Sequence, residues 1–422
     1  MRVVFTYIIL TLYLLINAQE SERYLLWGGQ AHIGNGKVIP NSAIGIEDGH
    51  ISFVADASII RIDTSSFKVI YLEGKEIYPA LIALNTQIGL KEIDQVRQSH
   101  DFQETGLLNP NIRTLSSFNG ESQIIPTLIA CGILYVQSCP KGGLLSGKSA
   151  FFKLNEWNWE EAAVIQEDGL HINWPRQHHY HYWHWSVERG RKNKNYQKNV
   201  DAITSFFHES KAYNASKPSL ETNLKYAALN PIINGKQKVF IHAYSSSEIL
   251  NALSFIKDFN LNAVLVCGPE VALIKPQIKE AEIPIILDRV LRLPNNRDAA
   301  INQVYSLPSE LKKEGILFAI AAQETWNQRN LAFHAGSAVA YGLSKEEALE
   351  SITLSPAKIL GLEDQLGSLE EGKVASLIIS NGDILDPMSN DIFLGMIEGK
   401  FISLNNFQEE LGRKYLKKFG IE

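Results

Sequence analysis

Two stretches of short strands, one near each end of the chain, enclose a long segment in which strands alternate with helices. Residues 24–71 and 375–402 read as short apolar runs separated by Gly, Asn and Asp, which is the pattern of strands joined by tight turns. Alternation over about 280 residues is typical of a (β/α)8 barrel. We therefore predict an α/β protein, a TIM-like barrel with a small β-sandwich built from both termini. The strand candidates between the ends are residues 80–84, 133–136, 239–241, 263–266, 283–287 and 316–321.

This pattern divides the chain into five parts. They are a signal peptide at residues 1–18, the first sandwich part at 19–77, the barrel at 78–365, the second sandwich part at 366–405 and a C-terminal helix at 406–422. The helical text of residues 407–419 carries mixed charges. It is expected to pack either on the sandwich or on another subunit, and in the second case the protein would be a homo-oligomer.

The first residues have the features of an export signal. Arg2 precedes an apolar run of 14 residues, from Val3 to Ile16, and Ala18 follows. A membrane span needs roughly 20 apolar residues, so the run fits a signal peptide cleaved after Ala18 better than an anchor or a buried strand. We expect an exported protein, periplasmic if the source is bacterial, with no membrane span after cleavage.

Charge and cysteine content exclude several classes of protein. The 40 Lys and Arg against 46 Asp and Glu give a net charge of −6 without basic blocks, which argues against nucleic acid as a partner. The three cysteines are an odd number without metal-ligand spacing. Cys131 and Cys139 could bridge, but their apolar surroundings favour buried free thiols. Disulfides are not expected to hold this fold.

Several segments resemble the amidohydrolase superfamily. Residues 45–51 (GIEDGHI) and 76–82 (EIYPALI) resemble its opening, in which a small sandwich leads into the first barrel strand. The closing block is similar to that of the imidazolonepropionase-like branch at residues 335–343, 347–349, 352–353, 355–361 and 367–373. The chain is also similar to exported members of this branch at residues 109–113, 125–127 and 142–147. The resemblance covers nearly all of the chain after residue 18.

The resemblance implies a metal-dependent hydrolase of non-peptide C–N bonds. Zinc or another divalent metal would lower the pKa of a bound water and polarise a carbonyl group of a small-molecule substrate. The ligands implied are His-x-His at the end of strand one, a His after each of strands five and six, and an Asp after strand eight. Some branches add a modified Lys after strand four.

The chain departs from this pattern at the first strand. Asn85 and Gln87 stand where the two histidines belong, and neutral amides are weak ligands for zinc. His242 keeps its position after strand five, whereas Cys267 lies near the expected His of strand six. After strand eight, Gln323 or Glu324 stands near the expected Asp, and the register is open by one residue.

These positions give the candidate site. The metal candidates, or none, are His242, Cys267 and Asp288. Glu324 is the candidate catalytic residue, and the candidate substrate-binding residues are Asn85, Gln87, Gln323, Arg329 and Asn330. Each has a structural alternative: a hydrogen-bonded remnant for His242, the core for Cys267, and a surface charge or an ion pair with Arg329 for Glu324.

A histidine-rich run occurs at residues 178–185 (HHYHYWHW). Four histidines in seven positions could bind metal. The run lacks carboxylates, and the basic residues 189–192 follow it, so an aromatic-rich loop over the barrel mouth is favoured.

Two functions remain open from the sequence. The first is an amidohydrolase acting on cyclic amides or dipeptide-like substrates, with catalysis impaired by the loss of the strand-one histidines. The second is an exported pseudoenzyme that binds a small ligand or a protein, because a fold does not fix a function.

Overall fold

The computed structural model describes residues 23–179, 191–215, 222–294 and 299–421. The predicted signal peptide and residues 180–185 of the histidine-rich run lie outside these ranges. The strands in the described ranges are β1 (Tyr24–Trp27), β2 (Gln30–His32), β3 (Val38–Ile39), β4 (Ser42–Glu47), β5 (His50–Asp56), β6 (Lys68–Tyr71), β7 (Glu76–Pro79), β8 (Leu81–Thr86), β9 (Ile133–Ser138), β10 (Leu145–Lys153), β11 (Ala163–Asn173), β12 (His178–His179), β13 (Arg191–Lys192), β14 (Lys238–His242), β15 (Ala263–Cys267), β16 (Ile285–Leu287), β17 (Phe318–Ile320), β18 (Leu377–Ser380), β19 (Ile392–Ile397) and β20 (Lys400–Ile402).

The helices lie mainly between the barrel strands and at the C-terminal end. Over the same ranges they are α1 (Ile125–Ala130), α2 (Trp159–Ala162), α3 (Tyr196–Ala215), α4 (Leu224–Ala228), α5 (Asn230–Ile233), α6 (Ser246–Phe259), α7 (Lys275–Ala281), α8 (Gln303–Lys313), α9 (Leu331–Val339), α10 (Lys345–Glu350), α11 (Leu354–Leu360) and α12 (Phe407–Lys418). None of the helices in this part of the chain is both long and apolar enough to span a membrane.

Both ends of the described chain build one sandwich, as predicted. A four-stranded sheet has the order β5-β4-β1-β6, and a six-stranded sheet has the order β20-β19-β18-β7-β2-β3. In the second sheet β7 pairs with β18, so residues about 300 positions apart in sequence are neighbours. Leu26, Ile44, Ile77 and Leu377 are buried in one apolar cluster between the sheets. Their burial explains why short alternating strands at opposite ends of the chain fold together.

The middle of the chain forms a nearly closed eight-stranded barrel, which confirms the predicted fold class. The sheet order is β17-β16-β15-β14-β11-β10-β9-β8. Between the two end strands, Ile82 N–H donates to the Ile352 carbonyl at 2.9 Å and Ile320 N–H donates to the Ser351 carbonyl at 3.0 Å. The segment after α10 therefore bridges the remaining gap.

The barrel is not fully parallel, which corrects the sequence prediction. Strand β10 runs antiparallel to both β9 and β11. Neither β10 nor β11 is among the strands predicted from the sequence, and in β10 a glycine such as Gly147 is more typical of a loop. Gly147 lies inside β10 with φ of 127°, and a Cβ there would meet the Ile112 carbonyl oxygen at 2.8 Å. Glycine is thus required by close backbone approach within a strand.

Helix ends follow the capping chemistry of the sequence. Ser344 and Glu347 form a capping box at the start of α10, and Gly361, with φ of 78°, caps the end of α11. At the C-terminal end, Asn406 caps α12 by accepting from the Glu409 N–H at 3.0 Å. The three cysteines are free, with Cys139 and Cys267 buried and Cys131 partly exposed.

Candidate functional site

The candidate site lies at the end of the barrel where the parallel strands finish. Strands β8, β9, β11, β14, β15, β16 and β17 all run in one direction, so their C-terminal ends meet at one mouth. Asn85, His242 and Cys267 lie in the last residues of β8, β14 and β15, and Asp288 follows β16 directly. All four are buried.

A chain of hydrogen bonds crosses the barrel interior from β9 to β14. Ser149 Oγ donates to Asp168 Oδ1, and Gln137 Nε2 donates to Asp168 Oδ2 at 2.6 Å. Burial raises the pKa of Asp168 to about 6, although the bonds from Ser149 and Gln137 act in the opposite direction. The carboxyl group is therefore held by two donors but has an unusually high proton affinity.

Two buried histidines continue this chain. His171 Nε2 lies 2.8 Å from Ser149 Oγ, and His171 Nδ1 lies 2.9 Å from His242 Nε2. Burial and the neighbouring His242 hold the pKa of His171 well below its ordinary value. Burial, followed by the charges of Lys141 and Arg176, lowers the pKa of His242 to about 3. Both rings are neutral at pH 7, so one donates a single proton to the lone pair of the other.

Asn85 and Gln87 are buried around a thiol. The Asn85 N–H donates to Gln137 Oε1 at 3.0 Å, and its side-chain oxygen accepts from Cys139 Sγ at 3.2 Å. Gln87 Nε2 donates to the same sulfur at 3.8 Å. Asn85 has φ of 56°, in the left-handed region that Asn tolerates better than most residues. Burial raises the pKa of Cys139 to about 12, so this sulfur stays a thiol.

Asp288, directly after β16, forms a second polar cluster at the mouth. It accepts from Gln323 Nε2 and from the Arg289 N–H, the latter at 3.2 Å. Burial raises the pKa of Asp288 to about 6, against the opposing charge of Arg292. Cys267 is fully buried, and burial followed by the charge of Asp288 raises the pKa of its thiol. Cys267 is therefore a poor source of thiolate.

Glu324 lies at the rim of the mouth. Its side chain is 69% exposed, its φ is 69°, and Glu324 Oε1 lies 4.0 Å from Arg289 Nη1. The predicted partner Arg329 lies elsewhere. The 3-10 helix Trp326–Asn330 packs against α1, and the charge of Arg329 acts on Cys131 at the end of α1. The structure thus places Gln323 beside Asp288, and Glu324 beside Arg289, the residue that follows Asp288. Arg329 is not part of this group.

Asn330 also lies in this 3-10 helix. Its Nδ2 donates to Asn327 Oδ1 at 3.0 Å within the same 3-10 helix. Asn330, like Arg329, is therefore not part of the group around Asp288. Of the histidine-rich run, the described residues His178 and His179 form β12, which pairs with β13.

Basic side chains follow several of the strand ends. Lys141 follows β9, Arg176 follows β11, and Arg289 and Arg292 follow β16. The Arg176 guanidinium lies over the Tyr244 ring, 4.1 Å from its centroid. The positive charges of these side chains lower the pKa of His242, of Asp288 or of both. They therefore lie close enough to influence the site electrostatically. These basic side chains lie at the same strand ends as the carboxylates of Asp288 and Glu324.

These donors do not fit the divalent metal that the resemblance implies. In the described ranges no three His, Cys, Asp or Glu side chains converge as a metal-binding group. His242 Nε2 is engaged by His171, Asp288 accepts from an amide, and amide groups occupy residues 85 and 87. An ion here would have to break buried hydrogen bonds whose loss leaves unpaired polar atoms.

Four polar residues of this site escaped the sequence analysis, namely Gln137, Ser149, Asp168 and His171. One signal in the sequence could have found two of them, Asp168 and His171. Residues 168–172 place an acid and a histidine within an apolar run, and buried polar side chains in such runs need partners.

The fold that holds this site is a near-closed barrel with a sandwich built from both ends of the described chain. A sequence profile described as the amidohydrolase family matches residues 241–405, less than half of the chain. This C-terminal part, which holds His242, is thus similar in sequence to that family. No curated protein matches the chain.

Solved structures extend the similarity to the whole described fold. An amidohydrolase from Thermotoga maritima MSB8 is 22% identical, with a TM-score of 0.77 over 90% of this chain and 99% of that chain. A prolidase complexed with N-methylphosphonate-L-proline is 13% identical, with a TM-score of 0.55 over 90% and 99% of the two chains. Ochratoxinase from A. niger is 12% identical, with a TM-score of 0.55 over 91% and 96%. At these identities the likeness shows the fold alone.

Proposed function

We propose that this chain is an amidohydrolase-fold protein with impaired hydrolysis that binds a small organic anion at the barrel mouth. The hydrogen bond between His171 and His242 carries the proposal. It engages the one family-type histidine that the chain retains among the candidate ligands. The buried polar side chains of the site bond to one another, so the network does not need a metal ion to pair its polar groups.

The protonation of the site also argues against ordinary hydrolysis. Water becomes a good nucleophile when a metal lowers its pKa or when a base of matched pKa removes its proton. The pKa of His242 is near 3, so this imidazole is a weak base. Asp288, with a pKa near 6, is better matched, but its carboxylate is hydrogen-bonded to Gln323. In the described ranges no three His, Cys, Asp or Glu side chains converge beside this base to hold a metal ion.

The basic side chains define the class of ligand. Lys141 and Arg176 act on His242 from the mouth, and Arg292 acts on Asp288. A carboxylate-bearing cyclic amide or dipeptide-like compound would place its negative charge among these side chains and its amide against buried polar groups. The prolidase of similar fold was solved with N-methylphosphonate-L-proline, an anionic dipeptide-like compound. We extend the ligand class to this chain by analogy. We also propose export, from residues 1–18.

The experiment uses the protein from residue 19 onward. Metal content is measured by plasma mass spectrometry, and hydrolysis of Xaa-Pro dipeptides and N-acyl amino acids is followed with and without added zinc. We expect less than about 0.1 zinc per chain and no turnover above the buffer rate. Near-stoichiometric zinc, lost together with turnover in His242→Ala, would contradict impaired hydrolysis.

Ligand binding is tested separately by calorimetry with the same compounds. We expect binding that weakens about tenfold or more in Arg176→Gln, because one charge-assisted hydrogen bond contributes roughly 1.5–3 kcal/mol. Lys257→Gln, a charge change in the last turn of α6 just before β15 begins, and so away from the strand ends that form the mouth, is the matched control. Equal binding of the acids and their methyl esters would contradict the anionic class, and no binding of either would favour a protein partner instead.

A further inference from the structure

The C-terminal helix α12 has an exposed apolar stripe. Phe407, Leu411, Tyr415 and Phe419 recur every four residues and are 62%, 38%, 47% and 69% exposed. Residues four apart lie on one face of a helix, so the three aromatic rings and the leucine form a continuous ridge. No residue of α12 is buried.

The other side of the helix is the one attached to the protein. Gln408 Oε1 accepts from Thr127 Oγ1 of α1 at 2.7 Å, and Leu416 is partly buried. Asn406, which caps the helix, is buried. The attachment fixes which side faces outward. A large apolar ridge held outward on a fixed helix is a common mark of an interaction surface.

Charge along the helix selects the partner. The first turn carries Glu409 and Glu410, whereas the last turns carry Lys414, Lys417 and Lys418. By the helical period, Glu410, Lys414 and Lys418 form a row that flanks the apolar ridge. Lys418 Nζ lies 5.8 Å from the ring centroids of both Tyr415 and Phe419, so this basic group adjoins the ridge.

We infer that α12 pairs with α12 of a second copy of this chain in an antiparallel, two-fold arrangement. Antiparallel pairing places Glu410 of each copy against Lys414 and Lys418 of the other, while Leu411 meets Tyr415. Parallel pairing would oppose like charges at both ends. Ridges formed by residues four apart pack against each other at about −50°. The inference is independent of the proposed function of the barrel.

Charge exchange provides a direct test. Glu410→Lys makes the flanking row wholly basic, and Lys414→Glu with Lys418→Glu makes it wholly acidic. In an antiparallel pair each variant opposes like charges with itself and opposite charges with the other. We expect each variant alone to dimerise about tenfold more weakly than the wild type, and their equimolar mixture to form a heterodimer.

Masses are measured by sedimentation equilibrium over a range of concentrations. Leu411→Glu should be monomeric, and Arg413→Glu, which lies nearly opposite Leu411 on the helix, should dimerise like the wild type. Thermal melts check that each variant keeps the barrel fold, as expected for a helix without buried residues.

Three results would overturn the inference. They are a monomeric wild type at about 100 μM, a dimer that Leu411→Glu leaves intact, and variants that fail to combine when mixed. Sedimentation with phosphatidylglycerol vesicles is measured in parallel. A monomer that binds the vesicles through α12 would assign the ridge to a lipid surface and overturn the dimer.

Discussion

His171 Nδ1 and His242 Nε2 lie 2.9 Å apart inside the barrel, on the neighbouring parallel strands β11 and β14. His171 is opposite Phe240 in the register, so His242 lies two residues further along and faces the same side. Both imidazoles are neutral because burial lowers their pKa values. The contact therefore satisfies one nitrogen of each ring and links the mouth to Ser149 and Asp168.

His171→Ala is expected to destabilise the fold strongly. The substitution removes a fully buried ring, takes away the hydrogen bond of His242 Nε2 and leaves Ser149 with Asp168 and the Gly169 carbonyl as partners. A cavity together with unpaired buried polar atoms corresponds to about 3–5 kcal/mol. Urea unfolding measures the change, and the exposed His50→Ala should stay within about 0.5 kcal/mol of the wild type. A loss below about 1 kcal/mol in His171→Ala would show that the network contributes little.

Asp168→Asn is expected to change how stability depends on pH. The pKa of Asp168 is raised to about 6 in the fold from an ordinary value near 3.8, so the folded state binds the proton more tightly. The stabilisation from this proton is complete below about pH 4 and disappears as the pH rises through about 6. The wild type should therefore lose stability relative to Asp168→Asn over that interval.

Thermal melts of both proteins from about pH 4 to pH 7.5 give this difference directly. The two histidines titrate in both proteins, so their contribution cancels in the comparison. A difference in stability that does not vary with pH would mean that Asp168 is ionised with an ordinary pKa. That result would contradict the raised pKa of this buried carboxyl group.

The fold was predictable because its signals are local or repeated. Short strands with turn residues mark the sandwich, and the capping box of Ser344 and Glu347 marks a helix start by itself. Strand β10 was missed because a glycine such as Gly147 is more typical of a loop than of a strand interior. Its role is set by the Ile112 carbonyl, a contact between segments that sequence periodicity does not describe.

The site was only partly predictable for a related reason. Asn85, His242 and Asp288 could be placed at strand ends because the resemblance supplied the positions. Ser149 meets Asp168 because it pairs with Gly169 in the antiparallel register of β10 and β11. His171 meets His242 because β11 lies beside β14. These pairings depend on the order of the strands in the barrel. Because β10 and β11 were not recognised as strands in the sequence, their neighbours could not be predicted either.

His32 predicts a second pH dependence, between the sandwich and the barrel. Its ring lies between Glu76 Oε2 of β7 at 2.8 Å and Glu346 Oε1 of α10 at 2.6 Å, and it stacks on Tyr78. Burial lowers the pKa of His32, but the bonds and charges of the two carboxylates outweigh burial and raise it above 6.5. The stabilisation is therefore present below about pH 6.5 and lost as the pH rises through the folded pKa.

His32→Gln should destabilise the protein most at about pH 6, and the difference from the wild type should shrink toward about pH 9. A neutral imidazole has one N–H and can serve only one carboxylate, so deprotonation already removes one of the two bonds. Thermal melts across this range measure the difference, with His50→Gln as the exposed control. If the difference grew with pH, the charged state of His32 would not be the stabilising one.

Restoring the histidines of the first barrel strand should not restore a metal site. Asn85→His with Gln87→His places imidazoles beside the Cys139 thiol, whose pKa near 12 makes it a poor ligand at neutral pH. His242 Nε2 remains hydrogen-bonded to His171, and Asp288 remains bonded to Gln323. We expect the double variant to bind zinc no more than about tenfold more tightly than the wild type by calorimetry, because only two ligands converge.

Adding His171→Ala to the double variant separates the two causes. If the imidazole contact is what withholds His242, the triple variant gains a third nitrogen ligand, and cobalt(II) should give the intense visible bands of a tetrahedral site. Because His171→Ala is destabilising by itself, each protein is first checked for folding by its near-ultraviolet circular dichroism. Tight zinc binding by the double variant, with His171 still present, would show that the His171–His242 contact yields readily and does not withhold His242 from a metal ion.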